Sequence, residues 1–213
     1  MPDREAVVDL LGALAYGELT AFERLAIDSR LAPNVDDTTE LARMAVAEFG
    51  HYERLVAHLD SLGVKPADAM APFVEPLDAF HEMTTPSNWL EGLVKAYVGD
   101  GIAADFYREV ARHLDAKTKR LVLDVLADTG HATFAVERVR AAIETEPALA
   151  GRLALWARRL VGEALTQGQR VAAHRPALAR LLGGTDDLAE VVRMFGRLTD
   201  RHAERMSALG LSS

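Results

Sequence analysis

The sequence is 213 residues long, with 49% hydrophobic residues, 26% charged residues and a formal net charge of −8. A chain of this size can bury a core as one domain, and its acidic balance argues against general binding to nucleic-acid phosphates, which requires clustered lysine and arginine. It contains no cysteine, which excludes disulfides, thiolate zinc sites and iron–sulfur clusters, so any metal must be held by nitrogen and oxygen ligands.

The N-terminal segment Met1–Glu5 lacks the basic start of a signal peptide. No stretch approaches the roughly 20 apolar residues of a membrane span. We therefore expect a cytoplasmic protein without membrane association.

Alanine and leucine recur at helical spacing through most of the chain, and no run of alternating β-branched residues indicates a sheet. The sequence predicts an all-α protein of six main helices. The first spans about residues 4–31. The second is predicted to open at Asp37, which can cap it while Glu40 reaches back to the cap, and to end at about Leu62.

Residues 64–85 are rich in proline and follow the second helix. They hold three prolines, too many for one uninterrupted helix, so we expect a crossover with at most short turns. A third helix is predicted to start at Thr85-Pro86, with the threonine as cap, and to end near Leu114. A fourth follows to about Thr145. Two helical hairpins separated by one long crossover are typical of one class of four-helix bundle.

Residues 147–213 are predicted to add two helices to this bundle. The first contains Pro176 as a kink or break, and the second opens at Thr185 after two glycines. We therefore expect a single domain over residues 1–213, with its four-helix core in residues 1–146.

A five-residue pattern occurs twice, 80 positions apart, at residues 47–51 and 127–131. Each copy places a carboxylate three residues before a histidine. The pairs are Glu48 with His51 and Asp128 with His131. Residues three apart are neighbours on one helix face, so each pair can bind an ion from one side, and two facing copies would bind two ions.

The first and third helices each offer two acids that could complete such a site. They are Glu18 and Glu23 in the first helix, and Asp100 and Asp105 in the third. Five residues is about 500° of helix, so the two acids of a helix diverge by about 140° and cannot both point at one ion. Antiparallel packing of the first two helices places both Glu18 and Glu23 within one helical turn of the level of Glu48.

Either carboxylate–histidine pair alone would be common on a solvated helix surface, and a polar core without metal is the alternative interpretation. The repetition favours a metal site, because both copies have alanine before the acid and glycine before the histidine. An oxygen-rich ligand set with open positions suits iron or manganese. Iron with open positions implies oxidation of a substrate by O2, which also requires an electron donor.

With these motifs placed, the sequence resembles the ferritin-like tRNA hydroxylase family, and more narrowly its hydroxylase-like branch. Members are diiron enzymes that hydroxylate the isopentenyl group of methylthio-isopentenyl-adenosine in tRNA. The similarity covers about residues 6–210. It is carried by residues 15–18, 47–51, 97–101, 127–131 and 156–163. The resemblance implies a ferritin-like four-helix bundle with a long crossover between its second and third helices, and two bound iron ions, with manganese possible.

The same resemblance chooses between the candidate acids, because in ferritin-like diiron proteins the single acid precedes the paired motif by roughly 30 residues. It implies Glu18 and Asp100 as ligands beside the two repeated pairs. Glu23 and Asp105 would then orient the histidines or substitute as ligands. Established members have glutamate where Asp100 and Asp128 stand, so the substrate does not carry over with the fold.

Four arginines repeat every four residues on the last predicted helix, at positions 193, 197, 201 and 205. Such a stripe, Arg193, Arg197, Arg201 and Arg205, could track the phosphates of a tRNA. Acids lie among and near these arginines, so intramolecular ion pairs or a homodimer contact explain the stripe about as well. His81 is predicted to be a surface or helix-end residue.

The leading functional hypothesis is thus a diiron hydroxylase acting on an organic substrate, with modified tRNA as the candidate that the resemblance suggests. Iron oxidation or storage without an organic substrate is one alternative. A non-enzymatic helical scaffold with an inherited polar layer is another. Metal content separates the last hypothesis from the first two.

Overall fold

The computed structural model describes residues 3–127, 131–182 and 188–212, and these residues form helices and no strand, which confirms the all-α prediction. None of their helices is both long and apolar enough to cross a membrane. The α-helices are α1 (Arg4–Asp28), α2 (Val35–Ser61), α3 (Pro66–Met70), α4 (Val74–Met83), α5 (Trp89–Val110), α6 (Ala116–Val125), α7 (His131–Thr145), α8 (Leu149–His174), α9 (Pro176–Leu182) and α10 (Leu188–Ala208).

Helices α1 and α2 form the first hairpin, and the cap of α2 differs from the predicted one. Asn34, in extended conformation, is the N-cap, and its Oδ1 accepts a hydrogen bond from the backbone N–H of Asp37 at 2.9 Å. The Asp37 carboxylate is buried instead and accepts a hydrogen bond from Arg138 Nε at 2.8 Å. The cap of α2 therefore lies three residues before the predicted one.

The crossover contains more helix than predicted, because α4 is ten residues long. The prolines do not prevent this: Pro66 is the first residue of α3 and Pro76 is the third residue of α4. Backbone N–H groups in the first turn have no partner within the helix, so a proline there removes no hydrogen bond. As a result α4 forms a packed element against α1 and α8.

Two further predicted helices differ in their bounds. Helix α5 begins at Trp89 with Asn88 as its cap, three residues past the predicted Thr85 cap. The predicted fourth helix is interrupted, since α6 ends at Val125 and α7 begins at His131. The predicted break at Pro176 is present and separates α8 from α9, while Thr185 lies outside the described residues.

The apolar core consists of two clusters that lie toward opposite ends of the bundle. One joins the first half of α1 to the end of α2, including Leu10 and Leu55. The other joins the beginning of α2 to that of α5, including Leu41 and Leu93. Buried polar side chains of α1 and α2 lie between the two clusters along these helices, and the candidate site is in this layer.

Candidate metal centre and its cavity

Three of the predicted ligands come together in this polar layer. One ligand atom from each of Glu18, Glu48 and His51 lies within 4.8 Å of the others. His51 Nδ1 is 3.3 Å from Glu18 Oε2 and 3.3 Å from Glu48 Oε2. Both carboxylates are buried and the imidazole is partly buried. Two carboxylates and one imidazole at this spacing form a group that could hold a metal ion.

The electrostatics of this group fit a bound cation. Burial raises the pKa of Glu18 well above its usual value, and the neighbouring Glu48 raises it further. Hydrogen bonds to Glu18 and Glu48 raise the pKa of His51 to about 9. No lysine or arginine of the described residues forms an ion pair with Glu18. A divalent cation would compensate this buried negative charge in place of the imidazole proton.

A fourth predicted ligand, Asp100, lines the same cavity from α5. Its side chain is open to the cavity but surrounded by protein, which raises the pKa of its carboxyl, and the charge of Glu48 raises it further. Asp128 lies outside the described residues. His131 is the first residue of α7, and its side chain is outside the described part of the structure. The second carboxylate–histidine pair therefore stays a prediction.

The two substitute acids lie in different surroundings from the ligand group. Glu23 is exposed on α1, whereas the described hydrogen bonds of His51 are with Glu18 and Glu48. Asp105 is buried and accepts a hydrogen bond from Arg205, with Arg108 Nη1 at 3.3 Å from its Oδ1. The charge of Asp105 is therefore compensated by arginine.

The arginine stripe on α10 makes intramolecular ion pairs, one of the two alternatives to RNA binding. Arg197 Nη2 is 2.8 Å from Glu109 Oε2, and Arg201 Nη1 is 3.3 Å from Glu109 Oε1. Arg205 also donates a hydrogen bond to the carbonyl oxygen of Gly101 at 3.0 Å. Arg193 is exposed. Arg197, Arg201 and Arg205 therefore attach α10 to α5.

The ligand group opens into a cavity of about 440 Å³. Much of its lining is apolar or small. These lining residues include Leu14, Ala21, Leu25, Met44, Leu77, Phe80, Ala96, Ala103, Ala104 and Ala135. Tyr107 also lines it, and burial together with the charge of Glu18 raises the pKa of its hydroxyl. Sequence reasoning missed Tyr107, because it belongs to no repeated motif.

A second polar group lines the same cavity and was also missed. It consists of Arg24, Asp28, His81 and Lys95. His81 lies in the last turn of α4, as one of its two predicted positions required, but it is not a surface residue: it is 9% exposed, and its Nε2 lies 3.2 Å from Thr20 Oγ1. The reason is that α4, which the sequence did not predict, packs its histidine against α1.

Comparison with known proteins agrees with this architecture. A family model described as "Ferritin-like domain, actinomycetes" matches residues 3–185. A solved structure, protein 19 with aldehyde deformylating oxidase activity from Synechococcus, superposes with a TM-score of 0.75 at 22% sequence identity, over 98% of this chain and 91% of that chain. No curated protein sequence matches. The ferritin-like fold expected from the sequence is confirmed. Neither match is described as a tRNA hydroxylase, so that narrower assignment stays a prediction.

Proposed function

The chain belongs to the ferritin-like domain family of actinomycetes, and from this premise we propose that it is a metal-dependent oxygenase that uses O2 to oxidise an organic substrate. The observation that carries the proposal is the position of the ligand group. Glu18, Glu48 and His51 lie on the wall of a cavity of about 440 Å³ with a largely apolar lining. A site that only stores or oxidises iron needs no such cavity, whereas an organic substrate does.

Two iron ions are the proposed cofactor, with manganese as the alternative, because both metals suit carboxylate-rich sites with imidazole ligands. Glu18, Glu48 and His51 would hold one ion. Asp100, with the sequence-predicted Asp128 and His131, would complete the site. When bound, iron would supply the activation of O2, with electrons from an external donor.

The chain's own side chains would prepare the cavity for this chemistry. The apolar lining excludes water from the substrate, which strengthens every electrostatic interaction inside. Because its pKa is raised, the Tyr107 hydroxyl keeps its proton and can donate a hydrogen bond beside Glu18. Tyr16 is engaged elsewhere, since its hydroxyl donates to Asp78 Oδ1 at 2.8 Å.

Action on a modified tRNA nucleoside is a narrower proposal, supported by the sequence resemblance to tRNA hydroxylases. The surface predicted to contact tRNA is largely committed to other bonds, because Arg197, Arg201 and Arg205 bind carboxylates or a carbonyl of α5. We therefore place a small organic molecule ahead of tRNA as the substrate.

The first test is metal analysis by mass spectrometry on protein purified without chelator and on protein reconstituted with ferrous iron without oxygen. We expect about two equivalents of iron or manganese in the wild type, and loss of metal in Glu48→Ala. The matched control is Glu53→Gln, an exposed acid on the same helix, which should retain metal. Wild-type protein that takes up neither metal would contradict the proposal.

The second test is oxygen uptake by the iron-loaded protein with a chemical reductant, in the presence of small organic molecules or of bulk tRNA. Substrate-dependent uptake with a small molecule and not with tRNA supports our order of candidates. Uptake that depends on tRNA, with a hydroxylated nucleoside among its digestion products, would reverse it.

A further inference from the structure

A second polar group lines the same cavity as the candidate metal ligands. Arg24 and Asp28 belong to α1, His81 to α4 and Lys95 to α5, and all four line the cavity. The side chains of Lys95 and His81 are only 6% and 9% exposed. A buried lysine of this kind is rare in proteins unless it is paired or used.

The group has more positive than negative charge. Arg24 contributes one positive charge. Burial lowers the pKa of Lys95 to about 8. The charge of Asp28 favours the protonated form of Lys95, and the charge of Arg24 opposes it. Burial, with Lys95 and Arg24, lowers the pKa of His81 to about 3 and keeps it neutral. At neutral pH two cations therefore face one carboxylate, for a net charge of about +1.

The group also has hydrogen-bonding capacity that the described residues do not use. Lys95 Nζ donates to the carbonyl oxygen of Thr84 at 2.8 Å. Arg24 Nε and His81 Nδ1 are both buried, and neither has a hydrogen-bond partner among the described residues. Buried polar atoms in folded proteins are nearly always satisfied, so an unpaired donor on a cavity wall indicates a missing acceptor.

We propose that Arg24 and Lys95 bind the carboxylate of a monoanionic organic acid whose apolar body extends toward Glu18 and Glu48. One carboxylate balances the net charge of the group, supplies the acceptor that Arg24 Nε lacks and can accept a second hydrogen bond from Lys95 Nζ. A phosphate dianion would instead leave a buried negative charge. The inference names the substrate class of the proposed oxygenase and rests on that proposal.

The spacing of the two polar groups sets the size of this acid. On α1, Arg24 is six residues from Glu18, which is about 9 Å of helix rise. On α5, Lys95 is five residues from Asp100, or about 7.5 Å. Ala21, Leu25 and Ala96 line the cavity between the two levels. The ligand is therefore an acid with an apolar segment of about 7.5–9 Å between its carboxylate and the carbon nearest the metal ligands.

Binding can be measured without metal or turnover, by isothermal titration calorimetry of the metal-free full chain. The probes are hexanoate, octanoate and decanoate, with octanol and inorganic phosphate as comparisons. The variants are Arg24→Gln and Lys95→Met, and the control is Arg30→Gln, an exposed arginine just past α1. We expect at least one acid to bind, with affinity about 10-fold or more lower in both variants and unchanged in the control. Octanol and phosphate should bind more weakly than the best acid.

Two further measurements separate this inference from the metal proposal and from misfolding. Lys95→Met removes a charge that burial disfavours, so its melting temperature should equal or exceed that of the wild type, and its iron uptake should be unchanged. Glu48→Ala should lose iron but still bind the acid. The inference is overturned if no acid binds, if octanol or phosphate binds as tightly, or if Lys95→Met and Arg24→Gln bind the acid as the wild type does.

Discussion

Buried carboxylates of this protein differ in what surrounds them, and this difference separates structural acids from candidate ligands. Asp105 and Glu109 are each bound by arginines. Glu18 is buried beside Glu48 and His51, with no lysine or arginine of the described residues in an ion pair with it. A buried acid that arginine already compensates has no need of a metal, so surroundings identify function here better than residue type does.

Replacing His81 with glutamine should change the stability of the protein in mild acid. The folded state keeps His81 neutral down to pH 3, whereas the unfolded chain takes up this proton below about pH 6.5. Stability from this residue is therefore present above pH 6.5 and lost as pH falls toward 3. Between pH 6.5 and 5 the loss is up to about 2 kcal/mol.

The measurement is urea unfolding of the metal-free protein at pH 7.5 and 5. His81→Gln should lose less stability between the two pH values than the wild type. The exposed His113 provides the control, because His113→Gln should keep the wild-type dependence. Identical pH dependence in wild type and His81→Gln would contradict the assignment of a buried neutral histidine.

Gly101 is required because Arg205 lies against it. A Cβ at this position would be 2.1 Å from Arg205 Nε, so alanine would displace the guanidinium from Asp105 and leave a buried acid without its main partner. We expect Gly101→Ala to lower the free energy of unfolding by about 1–3 kcal/mol.

Gly99 is the matched control two residues earlier on α5, because a Cβ there would meet no atom within 4 Å. Gly99→Ala should be neutral or stabilising by up to about 1 kcal/mol through helix propensity. Chemical unfolding of the two variants gives the comparison. Equal stability of Gly101→Ala and Gly99→Ala would show that the Arg205 contact does not matter.

At the scale of elements, the helices around the central hairpin are attached by a few specific contacts. Helix α10 is attached to α5 by arginine–carboxylate pairs. Helix α3 approaches α1 so closely that a Cβ on Gly12 would lie 2.1 Å from the backbone oxygen of Ala69. The crossover between α2 and α5 therefore packs directly on α1, and this packing places α4 and its His81 against the cavity.

Gly12→Ala should destabilise the protein by about 1–3 kcal/mol, because backbone and not a flexible side chain must move. Gly17→Ala on the same helix, where a Cβ would meet nothing within 4 Å, is the control and should be neutral or stabilising. Thermal unfolding of both variants is the measurement. A Gly12→Ala protein as stable as Gly17→Ala would exclude the close α1–α3 approach.

At the scale of the whole molecule, the bundle has two apolar clusters with a polar layer and cavity between them. The apolar clusters supply the stability, and the layer between them reduces it, because carboxylates are buried there beside one another. Proteins hold such destabilising groups at functional sites, where a bound ligand reverses the effect.

Glu18→Gln should therefore leave the metal-free protein as stable as the wild type or more so, and should abolish stabilisation by metal. Manganese(II) at 100 times its Kd would stabilise the wild type by about 2.7 kcal/mol. Melting curves with and without Mn(II) measure both effects. Glu23→Gln, an exposed acid on the same helix, should behave as the wild type. Metal stabilisation that survives Glu18→Gln but is lost in Glu23→Gln would exchange the roles of the two acids.

The sequence by itself determined the helical class, the central hairpin and the first carboxylate–histidine pair, because hydrophobic period and i, i+3 spacing are local properties of a helix. Only the tertiary structure shows which of the two acids faces His51, because Glu18 is buried against it and Glu23 is exposed. It also placed Arg24, His81 and Lys95 on one cavity wall. These three residues come from three separate helices, and their proximity depends on packing that no local pattern records.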